Sequence, residues 1–138
     1  GEGAYLNNER IRVTISKGLE DTLIGTGFPF KNPQHLDCYL DTFKAILPHV
    51  SDIRRAGAAA LDLAYVAAGR LDGHWEIGLN SWDMAAGALL VKEAGGFIGD
   101  FSGRDKYMET GNVVAGNADA YKEILKKIHP HLTSDLQR

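Results

Sequence analysis

With 138 residues, 44% of them hydrophobic and 24% charged, the chain has the length and composition of about one soluble globular domain, not of a disordered or membrane-spanning segment. Its formal net charge of −3 supplies no basic field for a phosphate backbone, so direct nucleic-acid binding is not expected. The single Cys38 excludes an internal disulfide and no run approaches the ~18 apolar residues of a membrane span, which together suggest a reducing, cytoplasmic setting.

Ile11, Val13 and Ile15 alternate with Arg12 and Thr14, the period of two of a half-buried strand, and Leu6-Asn7-Asn8-Glu9 before them is a turn candidate. Residues 4–16 therefore read as a hairpin, and a further strand is expected at residues 22–26. Asn32 is placed to cap a helix beginning at Pro33, where the missing N–H costs nothing. Leu36, Tyr39, Leu40, Phe43, Ile46 and Leu47 then recur at helical spacing until Pro48 ends the run. Residues 57–69 are Ala-rich and apolar nearly all round, which predicts a helix buried on several sides and closely approached. A strand region at 71–79 precedes a helix running from Ser81 or Asp83 to Ala94, closed by Gly95-Gly96. Short strands are expected at 97–101 and 112–115. Asn117 then caps a last amphipathic helix, with Tyr121, Ile124, Leu125 and Ile128 on one face, before Pro130 and a polar tail. Strands alternating with helices give an α/β fold: a layered domain with a mixed β-sheet flanked by helices.

The most informative run is Trp82-Asp83-Met84-Ala85-Ala86-Gly87-Ala88-Leu89-Leu90-Val91-Lys92-Glu93-Ala94-Gly95-Gly96. It sets a carboxylate in the first turn of a helix, where Asp83 could serve as a cap or as a ligand. A second long motif opens at Arg54-Arg55-Ala56-Gly57-Ala58-Ala59 and closes at Leu71-Asp72-Gly73, and Gly3-Ala4-Tyr5-Leu6-Asn7-Asn8-Glu9 stands near the start. Together these motifs resemble the inositol monophosphatase family, and in detail its bacterial extragenic-suppressor branch, over residues 1 to about 125.

The resemblance implies magnesium-dependent hydrolysis of a phosphate monoester such as an inositol phosphate, in which clustered carboxylates hold Mg²⁺ ions that activate water and neutralise phosphoryl charge. It makes Asp83 a metal ligand lying beside the substrate hydroxyls, and Glu76 an acceptor of hydrogen bonds from the polyol. Gly57, Ala58 and Ala59 become a wall that a ligand can approach closely. Arg54 is either a substrate-side cation or, like Arg55, half of an ion pair at a subunit contact. The family's remaining ligands, an early Glu and an Asp-Pro-(Ile/Leu)-Asp-Gly-Thr loop, do not occur in the sequence. The chain is accordingly expected to form a single C-terminal domain over residues 1–138, without the N-terminal metal-binding domain, without a complete catalytic set and inactive by itself. A homodimer is expected. The same branch implies a rival role as a protein-interaction module of a transcription antitermination or ribosomal RNA processing factor.

Other candidates carry less. Asp62, amid Ala and Leu, is expected to be a buried acid satisfied by Arg or backbone donors. Glu93 and Asp100 are expected to be solvated, His129 and His131 to lie in a disordered tail, and Cys38 to be an inert buried thiol.

Overall fold

The computed structural model describes residues 2–137, so Gly1, where the family resemblance begins, lies outside them. Asn7 and Asn8 adopt φ values of 51° and 69°, a left-handed pair that Asn tolerates and that two-residue hairpins require. They join β1 (Ala4–Leu6) to β2 (Glu9–Ile11) in an antiparallel ladder. Pairing stops at Ile11, short of the expected Ser16, because the following segment is held by other partners. The Val13 N–H donates to the Ala94 carbonyl at 3.0 Å, and Asn117 Nδ2 donates to the hydroxyls of Thr14 and Ser16 at 3.1 and 3.0 Å. Ile15, placed by its alternation on a buried face, is 99% exposed.

The main sheet contains β3 (Leu23–Thr26), β4 (Asp52–Arg54), β5 (Gly73–Glu76), β6 (Phe97–Gly99) and β7 (Val113–Gly116), in the order β4-β3-β5-β7-β6. Strands β4, β3 and β5 run parallel, whereas β7 is antiparallel to both β5 and β6. The sheet is therefore mixed, as expected. The edge strand β4 was not expected, since three residues are too short to declare a period.

Helices α1 (Leu36–Ile46) and α5 (Ala118–Ile128) cover one face, and α2 (Ala59–Ala67) and α3 (Ser81–Glu93) the other; a short α4 spans Tyr107–Thr110. The pleat divides the strand residues between two cores. Ile24, Trp75 and Val114 join Tyr39, Ile46, Ile124 and Ile128, while Val113 and Ala115 join Leu63, Val66, Met84 and Val91. Small residues bring α2 and α3 together, as the Ala-rich run implied: a Cβ added at Gly87 would stand 2.6 Å from the Leu63 Cβ.

Three local expectations are corrected. Asn32 precedes the turn Pro33–His35 without a side-chain cap bond, whereas Asn117 does cap α5, accepting from the Ala120 N–H at 2.8 Å. The tail is ordered: the turn His129–His131 leads to Leu132 and Leu136, both buried in the α1/α5 core, and the buried Cys38 thiol donates to the His131 carbonyl at 2.9 Å. Asp100 is buried, not solvated, because its carboxylate organises the loop after β6. It accepts from the N–H groups of Ser102, Arg104 and Lys106 and from the Ser102 hydroxyl at 2.7–3.2 Å. Burial alone would raise its pKa, but these bonds together hold it below the usual carboxylate value.

Candidate active site

In parallel sheets the strand ends that share a direction deliver their following loops to one place. Here the segments after β3, β4 and β5 enclose a cleft of about 290 Å³, lined by residues 27–32, Arg55, Gly57–Ala59, residues 76–80 and Asp83. Five of the six residues predicted from sequence thus meet: Gly57, Ala58, Ala59, Glu76 and Asp83.

Gly57 has φ +85°, a left-handed value that turns the chain from β4 into α2. No side chain caps the first turn of α2, so its N-terminal end faces the cleft with small residues only. Asp83 caps the first turn of α3, its Oδ2 accepting the Asn80 N–H at 3.2 Å, and the half-buried carboxylate also lines the cleft. Arg54 ends β4, pairs in register with Gly25, is exposed and does not line the cleft. Its neighbour Arg55 does, with its guanidinium carbon 5.2 and 4.9 Å from the ring centroids of Phe28 and Phe30. That aromatic clamp joins two segments distant in sequence, and no local pattern announces it.

Beneath Glu76 lies a buried trio. His74 Nε2 is 2.9 Å from Glu76 Oε1, and His74 Nδ1 is 3.8 Å from Asp62 Oδ2. Asp62 is buried, as expected, but neither an Arg nor a backbone donor reaches its Oδ2. Desolvation raises its pKa above the ordinary carboxylate value, His74 opposing and Glu76 adding to that rise. Two glycines accommodate the pair: a Cβ at Gly25 would stand 2.7 Å from His74 Nδ1, and one at Gly27 would overlap the Glu76 carboxylate. On the opposite face of the sheet, Tyr39 stacks on Trp75 with centroids 6.0 Å apart, and burial pushes its phenol up to about 12. A larger groove of about 900 Å³ adjoins the cleft through Asn32, Ile77 and Gly78 and runs past Asp100, but it contains none of the predicted site residues.

The sequence profile described as the inositol monophosphatase family matches residues 1–137. The chain belongs to this family. It is 55% identical over 140 residues to the Nus factor SuhB of Pseudomonas aeruginosa, covering 100% of this chain and 52% of that protein. The crystal structure of the extragenic suppressor protein suhB from Bartonella henselae superposes with a TM-score of 0.86 at 45% identity, covering 94% of this chain and 51% of that one. The inositol monophosphatase from Anabaena (Nostoc) sp. PCC 7120 gives 0.88 at 34% identity, over 94% of this chain and 53% of its own. The chain thus spans about half the length of these members of the inositol monophosphatase family.

The donor set tests the magnesium that the resemblance implies. Mg²⁺ takes about six oxygens in near-octahedral array. Asp83 fits as one such ligand, but among the described residues no group of three convergent metal-ligating side chains includes it. The group that does occur, Asp62, His74 and Glu76, does not suit a hard ion, since the imidazole stands between the carboxylates and is already bonded to Glu76.

Proposed function

We propose that this chain forms one wall of a magnesium-dependent phosphate monoesterase site acting on inositol phosphate or a related polyol phosphate. The observation that carries the proposal is the convergence of Asp83, Glu76 and Gly57–Ala59 on one cleft at the carboxyl ends of parallel strands. Asp83 would contribute a carboxylate oxygen to the metal, and the other oxygens would come from donors outside this chain. The bound ion would activate water and offset the charge that develops on the phosphoryl oxygens. Glu76 would accept hydrogen bonds from the polyol hydroxyls, and the backbone at Gly57–Ala59 would let the ring approach closely. Arg55, steadied on Phe28 and Phe30, supplies a cation beside that wall; Arg54, one residue earlier, would face the substrate only through a shift at the end of β4. Glu76 and the small Ala58-Ala59 pair favour inositol over bulkier nucleotides.

The test is phosphate release from inositol 1-phosphate with Mg²⁺. The 138-residue chain alone should release none above background, and Asp83→Asn in the full gene product should reduce turnover about 100-fold or more. Turnover by the chain alone, or by the Asp83→Asn protein at the wild-type rate, would contradict the proposal. A second reading is an interaction module of a transcription complex, cytoplasmic and homodimeric, of which the Nus factor name that relatives carry supports the transcription-complex part alone. An Asp83→Asn strain that loses hydrolysis but keeps its cellular phenotype would favour it.

A further inference from the structure

We infer that His74, braced from below by Asp62, is the positioning residue that aims the Glu76 carboxylate into the cleft, through a proton kept between His74 and Asp62. The inference rests on the assignment of Glu76 to the polyol.

Residues two apart on a strand share a face, so His74 and Glu76 stand side by side on the α2/α3 side of β5. A carboxylate has no proton to give, so the 2.9 Å contact makes His74 Nε2–H the donor and Glu76 Oε1 the acceptor. The other ring nitrogen then faces Asp62 Oδ2 across 3.8 Å, and among the described residues neither atom has a hydrogen-bond partner. His74 is 0% and Asp62 2% exposed, so both are shielded from bulk solvent. Two bare lone pairs facing each other in a buried site repel. One proton on either atom replaces that repulsion with an electrostatic attraction across the 3.8 Å, longer than a hydrogen bond, that favours this ring orientation.

The surroundings leave His74 little alternative. The β3 residue Gly25 removes the side chain that would strike Nδ1, and Gly27 does the same for the Glu76 carboxylate. On β7 the register partner is the apolar Ala115. The other charged and titratable groups nearby are Arg55 from the loop before α2 and Asp83 from α3, which line the cleft with Glu76, and Tyr39 from α1, which lies across the sheet and feels the Glu76 charge. None of Arg55, Asp83 and Tyr39 reaches Asp62 or His74 by a hydrogen bond. Because burial raises the Asp62 pKa, that proton is retained beyond the ordinary carboxylate range and is lost at higher pH.

The experiment is steady-state hydrolysis of inositol 1-phosphate by the full gene product between pH 5 and 9, with His74→Phe, His74→Gln, Asp62→Asn and Glu76→Gln. His74→Phe should raise KM on the order of tenfold and hold kcat within about twofold, because a binding contact is misaimed while the chemistry is intact. His74→Gln, which keeps an N–H near the Nε2 position, should recover most of that loss, and Asp62→Asn should flatten the dependence of KM on pH. A parallel ¹⁵N NMR experiment on the chain should find His74 with a slowly exchanging Nε2–H. A His74→Phe enzyme with wild-type KM, alongside a Glu76→Gln enzyme with raised KM, overturns the positioning role and leaves the polyol assignment standing. Wild-type KM in Glu76→Gln overturns the polyol assignment instead, and the inference about aiming falls with it. An NMR result that puts no proton on Nε2 overturns the His74–Glu76 pairing whatever the kinetics.

Discussion

Gly87→Ala sets two opposing effects of known size against each other. In the interior of α3 the exchange should favour the helix by ~1 kcal/mol, because Ala surrenders less backbone entropy than Gly. Against this, the added Cβ would meet the Leu63 Cβ at 2.6 Å, Cδ1 at 2.9 Å and Cγ at 3.3 Å. Carbon atoms settle at about 3.5–4.0 Å, so the nearest contact falls short by about 1 Å. Both Cβ atoms are fixed to helix backbones, and Leu63 is 0% exposed, so no rotamer change relieves the overlap; α2 and α3 must part. Overpacking costs ~1–3 kcal/mol, and this anchored contact belongs near the upper end. The net expectation is a destabilisation of ~2 kcal/mol, or roughly 6–10 °C in Tm at ~3–5 °C per kcal/mol for a chain of this length. Urea unfolding followed by circular dichroism measures it. Ala85→Gly on the exposed side of the same helix serves as the propensity control, expected to cost ~1 kcal/mol. A Gly87→Ala midpoint equal to or above wild type would refute the packing argument and show that propensity governs the site.

Asp100→Asn should destabilise the fold by ~1–3 kcal/mol at pH 7, since a carboxylate with four donors is lost. The folded pKa lies below the unfolded value of about 3.9, so this contribution is complete above that value and vanishes as pH falls through the folded pKa. Wild type and variant should therefore converge in midpoint toward pH 2, which unfolding at pH 2, 4 and 7 would check. Leu136→Ala should cost ~2–3 kcal/mol in the same assay, because the side chain is 2% exposed within the α1/α5 core; a change below 0.5 kcal/mol would mean that the tail is not part of that core.

Much of the fold was legible because its signals are local. The 3/4 spacing of Leu36 to Leu47, the Asn117 cap and the Gly95-Gly96 stop each act within a few residues, and the helices appear where they fall. The hairpin extension failed for the opposite reason: Ile11, Val13 and Ile15 alternate as a strand would, but Ala94 and Asn117, remote in sequence, take the backbone and hydroxyl groups of that segment. Asp100 looked solvated because its donors belong to a loop whose closure no spacing foretells. In the cleft, the motif residues were found through their likeness to a family, whereas Arg55 over Phe28 and Phe30 was not. The His74-Trp75-Glu76 alternation was in view and would have set the histidine beside the acid; only Asp62, arriving from another helix, was beyond the reach of a strand's period.

The order β4-β3-β5-β7-β6 also fixes when the molecule can finish folding. Ile24 pairs with Gly73 and Gly73 with Gly116, so β5 joins the parallel half of the sheet to the antiparallel half through contacts far apart in the chain. Loop-closure entropy must be overcome twice before the sheet is complete, which slows folding relative to a helical bundle of equal size. A nascent chain that has emerged only through α3 carries β5 with an open, hydrogen-bonding edge, and that edge stays available for aberrant pairing until β7 is synthesised. The strand that carries Glu76 is thus among the last to be secured.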